Sequence, residues 1–98
     1  MAELTDNITR HRYETKVDGA VAFVEYRLDA DRAVLVHTEV PQALSGRGVG
    51  SAIARAVLDD ARARGLRVVP ECPFIADFMG RHPDYASLVV QPRSDDVE

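Results

Sequence analysis

Polar and apolar residues alternate along the first forty positions of the chain, and the period then changes. Ile8 to Val17 and Ala20 to Asp29 read as strands joined by Asp18-Gly19, a dipeptide suited to a two-residue hairpin because both turn residues must reach positive φ. In the second run Ala20, Ala22, Val24, Tyr26 and Leu28 share one face, with Val21, Phe23, Glu25 and Arg27 on the other. The polar turn Ala30-Asp31-Arg32 leads to a third strand, Ala33 to Val40, closed by Pro41. In it Val34, Val36, Thr38 and Val40 alternate with Leu35, His37 and Glu39. Three successive strands joined by short turns predict an antiparallel meander.

Past Pro41 the spacing becomes helical. Val49, Ile53, Ala54, Val57, Leu58 and Ala61 lie on one stripe and predict a helix over Val49 to Arg64. Asp60 and Arg64 are placed as an i,i+4 pair, and Gly65 as a left-handed stop. Leu66 to Val69 predict a short strand halted by Pro70, and a right-handed crossover makes it parallel to the third strand. Phe74 to Arg81 read as a second helix, followed by a helical turn near Pro83 to Ser87 and a short strand at Leu88 to Gln91. The predicted fold class is α+β: a mixed sheet with an antiparallel meander, a central helical crossover and a C-terminal helix. At 98 residues the chain fits one compact domain, its first six and last six residues expected to lie outside the ordered fold.

Composition narrows the function classes. Hydrophobic residues at 46% and charged residues at 29% describe an ordinary globular chain, and the net charge of −4 argues against a nucleic-acid partner. No stretch approaches the ~20 apolar residues of a membrane span, and the first residues carry no export signal, so the expected location is cytoplasmic. One cysteine and no Cys/His cluster leave no intramolecular disulfide and no expected metal site.

The candidate chemistry lies in Gly46-Arg47-Gly48-Val49-Gly50-Ser51, between a strand and a helix. Glycines there let backbone amides converge on an anion, and the helix N-terminus adds partial positive charge. Arg47 offers a counter-charge and Ser51 an extra donor. A dinucleotide-binding loop would need a third glycine where Ser51 stands, within an all-parallel sheet. A nucleoside-triphosphate loop would need a lysine before the final hydroxyl residue. Both fail.

An antiparallel meander, a strand ending in Val40-Pro41, a Gly-x-Gly loop, a long helix and a parallel strand together resemble the coenzyme A core of the GCN5-related N-acetyltransferases. Gly48-Val49-Gly50 fill the end of that family's loop, while Ser45 stands where it carries Arg or Gln. His37-Thr38-Glu39-Val40-Pro41, Val68 to Phe74 and Arg81 to Tyr85 further resemble its short N-acetyltransferase-like subfamily, over about Asn7 to Pro92. The resemblance implies acetyl-coenzyme A as cofactor, its diphosphate on the amides of Arg47, Gly48, Val49, Gly50 and Ser51. Its pantetheine arm would lie beside Glu39 and Val40.

Acetyl transfer to an amine then needs a proton acceptor, for which Glu39 and His37 are candidates on one strand face. Cys72, at a helix start that favours a thiolate, is a candidate nucleophile, and Tyr85 a candidate proton donor. His82 and Arg81 are further candidates for the adenosine or phosphate end. The relatives' N-terminal strand and acceptor-shaping helices are expected to be missing. The acceptor is therefore a small-molecule or protein amine, or a group presented by a second subunit, a homodimer being one form. The alternative is a coenzyme A-binding sensor or interaction module that does no chemistry.

Overall fold

The computed structural model describes residues 4–90. Five strands form one sheet in chain order: β1 (Leu4–Asn7), β2 (Arg12–Val17), β3 (Ala20–Asp29), β4 (Arg32–Glu39) and β5 (Arg67–Pro70). The first three pairings are antiparallel and β4 with β5 is parallel, as the crossover requires. Helix α1 (Val49–Ala63) makes that crossover, and α2 (Pro73–Arg81) follows β5. A 3-10 turn, Gln42–Leu44, precedes the glycine loop, and a 3-10 segment, Pro83–Leu88, closes the chain onto the helices.

α1 buries the predicted stripe of Val49, Ile53, Ala54, Val57, Leu58 and Ala61. It stops at Gly65, whose φ of 71° lets Leu66 N–H turn back to the Ala61 carbonyl at 2.9 Å. Ile75, Phe78 and Met79 of α2 join the same core, against Tyr13, Ala22, Val24, Tyr26, Leu35 and Val68. Both helices thus pack on one face of the sheet. The reverse face carries Glu14, Phe23, Glu25, His37 and Glu39, by the strand register.

Three expectations need correction. The strand expected from Ile8 is broken: Ile8 to His11 form a turn, with His11 at φ 55°, and the chain before it supplies β1. Leu4, Thr5 and Asp6 are therefore part of the sheet and not outside the ordered fold. The turn follows from Asn7, whose side-chain oxygen accepts from the Arg10 amide at 3.2 Å. The expected outer-strand run Leu88 to Gln91 is a single bridge, Val68 with Val89, plus a Val90 N–H bond to the Val68 carbonyl. Gln91 and the tail expected to be disordered, Arg93 to Glu98, lie outside the described residues.

The third correction bears on function. Strict alternation in β4 would keep Ala33, Leu35, His37 and Glu39 on one face. Instead the register jumps from Glu25↔His37 to Tyr26↔Leu35, leaving Val36 as the extra residue of a bulge. Ala33 and Leu35 point to the core before it, while Thr38 and Val40 do so after it. His37 and Glu39 are thereby turned out to the reverse face, and no charged side chain is buried among the described residues.

Candidate active site

The glycine loop is shaped by two residues at positive φ, Gly46 at 78° and Gly48 at 76°. Gly48 is the N-cap of α1 and has no side chain with which to cap it. The first intrahelical bond is from Ala52 N–H to the Gly48 carbonyl at 3.0 Å. The amides of Val49, Gly50 and Ser51 therefore have no partner among the described residues, and they share the positive end of the helix dipole. Arg47 differs from its neighbours. Its amide closes a turn on the Leu44 carbonyl at 3.3 Å, and its guanidinium binds Asp18 of the β2–β3 hairpin at 2.7 Å.

Gly50 is needed for space. A Cβ there would come within 2.9 Å of the Phe74 ring, so that ring, from the first turn of α2, packs directly on the bare backbone of the first turn of α1.

Beside this loop the sheet opens. β4 and β5 pair from Arg32↔Arg67 to Leu35↔Pro70, and Pro70 has no N–H with which to continue the ladder. One bond further, Cys72 N–H to the Leu35 carbonyl at 2.9 Å, ends the contact. From His37 to Val40, β4 then has β3 on one side and no strand on the other among the described residues. An unpaired strand edge next to unpaired helix amides accepts an extended ligand with its own amides and an anionic end.

The four chemical candidates fall in three places. His37 and Glu39 come together on the reverse face: Nε2 and Oε1 lie 2.8 Å apart, both side chains more than half exposed. The ring of Phe23 stands edge-on to His37, with centroids 6.3 Å apart. Cys72 lies on the opposite side of β4, buried to 3% exposure, its Sγ 3.3 Å from Thr38 Oγ1. No local pattern could reveal that contact, since the partners are separated by most of α1 and β5.

Tyr85 is elsewhere again. Its hydroxyl donates to Asp59 Oδ1 at 2.7 Å and accepts from Arg55 at 3.2 Å, both on α1. Burial, then the bond to Asp59, pushes its pKa up, which weakens it as an acid. No bond joins Tyr85 to Cys72, His37 or Glu39, and its ring packs with Phe78. His82 is likewise committed to structure. It stacks on Phe78 at 4.0 Å and bonds the Phe78 carbonyl, while Arg81 pairs with Asp77 at 3.1 Å.

An uncapped glycine-led helix, a parallel strand pair that parts, and a meander feeding both characterise the α+β fold of this chain. The chain belongs to the GCN5-related N-acetyl-transferase family, whose model matches residues 12–88. It is similar to protein NATD1 of Bos taurus, at 40% identity over 67 residues, or 67% of this chain. The match spans 58% of that protein's length. A solution structure from Staphylococcus aureus, described as GCN5-like, superposes with a TM-score of 0.71 over 95% of this chain and 92% of that one. At 24% identity that likeness is one of fold. No helix among the described residues is long and apolar enough to cross a membrane.

Proposed function

We propose that the protein transfers an acetyl group from acetyl-coenzyme A to an amine by direct attack. The observation that carries this reading is a pair of surfaces without partners among the described residues, joined by one short connection of the chain: the open edge of β4 from His37 to Val40, and the amides of Val49, Gly50 and Ser51. The amides suit a diphosphate, with Gly48 as the uncapped approach, and the β4 edge with Val40 suits the peptide-like pantetheine arm. Acetyl-coenzyme A would supply the activated acyl group.

The chain's own part is to hold the arm, exclude water and handle protons. His37 takes the proton the amine loses, and Glu39, its Oε1 2.8 Å from Nε2, holds the imidazole in place. A nitrogen–carbon bond forms, the carbon–sulfur bond breaks, and a proton returns to the departing thiolate. Cys72 does not enter this scheme. Its thiol fills the core beside Thr38 where β4 and β5 part, and Tyr85 fastens the last segment to α1.

Release of free thiol from acetyl-coenzyme A against a panel of amines tests the assignment. Glu39→Gln should lower turnover by about 10²–10³-fold while leaving acetyl-coenzyme A affinity unchanged. Cys72→Ser should stay within a few-fold of the parent; loss to background would instead establish an acetyl-cysteine route.

One observation favours a binding module that does no chemistry: Tyr85 and Cys72 are both committed to packing, the one bound to Asp59 and the other buried beside Thr38. That reading predicts tight coenzyme A binding with no thiol release for any amine.

A further inference from the structure

Three of the most exposed large apolar side chains, Ile8 at 71%, Leu28 at 52% and Val36 at 39%, are gathered in one place. They line a concavity of about 590 Å³ at the end of the sheet, formed where the Ile8–His11 turn lies beside the last residues of β3. Its other walls are Arg10, His11, Arg27, Glu25 and the buried Tyr26. Scattered apolar residues on a surface need no explanation, but a concave cluster with charged walls does.

Arg10 and His11 stand on the turn and Arg27 on β3. Among the described residues no side-chain hydrogen bond holds Arg10 or His11, and Arg27 has only a loose 3.9 Å contact with Glu71. Glu25 lies directly across the strands from Arg12, which is held by Glu14 at 2.6 Å, and on its other side from His37, which Val36 adjoins in the chain. Cross-strand partners have Cβ atoms about 5 Å apart, so the Glu25 wall of the concavity is continuous with the His37–Glu39 pair.

We propose that this concavity is the acceptor site and that it takes an amino acid with an apolar side chain. The inference rests on the acetyl-transfer reading for its chemistry. The ammonium group lies toward Glu25 and His37, the carboxylate toward Arg10 and Arg27, and the side chain on Ile8, Leu28 and Val36. A volume of about 590 Å³ accommodates such a ligand, within the ordinary range of ligand pockets. In the reaction the amine nitrogen bonds to the acetyl carbon as the carbon–sulfur bond breaks. Of the two protons the ammonium loses, one leaves on the thiol and the other passes through His37 to solvent. A polyamine, having no carboxylate, meets the two guanidinium groups unfavourably.

Binding and turnover are measured separately with L-leucine, L-leucinamide and spermidine. Amide shifts on titrating L-leucine should appear at Ile8, Leu28 and Val36 and vanish in the Arg10→Gln/Arg27→Gln double variant. Both replaced residues are on the surface, so the fold should survive. Leucinamide should show a KM at least about tenfold above that of leucine, and Leu28→Asp should raise the leucine KM by a similar factor. Equal use of leucine and its amide, preference for spermidine, or shifts confined to other residues would overturn the assignment. Shifts of Gly48 to Ser51 with acetyl-coenzyme A report on the underlying reading by themselves, so the two failures are told apart.

Discussion

The two ends of α1 are treated in opposite ways. At its C-terminal end Arg64 donates to Asp60, Tyr13 and Asp6, Tyr13 donates to Asp60 at 2.8 Å, and Tyr26 donates to Asp6 at 2.6 Å. The two tyrosine rings pack at 4.9 Å, tying the helix to β1, β2 and β3. At the N-terminal end there is no cap, no acidic residue in the first turn and no partner for the first amides. One end spends every polar group on the fold. The other withholds its donors, giving up the roughly 1 kcal/mol a side-chain cap contributes. The difference separates what holds the protein together from what it binds.

The sharpest way to break the contrast is to fill the open end from within. Gly48→Asp places a carboxylate among the amides, in a left-handed conformation that Asp tolerates better than most residues. Acetyl-coenzyme A affinity should fall by at least about 100-fold in calorimetry, from lost hydrogen bonds and charge repulsion, with little change in Tm. The converse change is Asp60→Ala at the closed end. It leaves the buried Tyr13 hydroxyl without its acceptor and should cost about 1–3 kcal/mol, lowering Tm by roughly 10 °C, with cofactor affinity intact.

The gentlest probe is alkaline pH. Burial, reinforced by Asp6, pushes Tyr26 up to about 12, and burial with Asp60 pushes Tyr13 higher still. In the unfolded chain both tyrosines lose their protons near pH ~10, while the folded protein keeps them. The native state then binds more protons, so stability is full below about pH 10 and declines between pH 10 and 12. Urea midpoints over that range should fall in the parent and fall less steeply in Tyr26→Phe.

Much of this was legible in the residues. Asp18-Gly19, at φ 50° and 82°, turns the hairpin as expected, and the α1 stripe and the Gly48 loop stand where their spacing puts them. What escaped was decided by tertiary contacts. Ile8 extends an apolar-polar alternation and so reads as strand, but Asn7 captures the chain into a turn and leaves Ile8 exposed. The Val36 bulge has no glycine to mark it, and it reassigned the face of every later β4 residue. Tyr85 looked available because its ring chemistry suits proton transfer; only the packed structure shows its hydroxyl bound to α1.

That bulge sets an uneven tolerance to changes in chain length. Lengthening the β2–β3 hairpin would leave every strand face unchanged and disturb only the exposed contact of Asp18 with Arg47. Removing the codon at Val36 would take out the extra residue and restore regular alternation, Leu35 inward, His37 outward and Thr38 inward, so the imidazole, the carboxylate and the contact with the thiol would keep their sides. A second deletion in β4 would have no spare residue to draw on and would drive the imidazole and the carboxylate into the hydrocarbon interior.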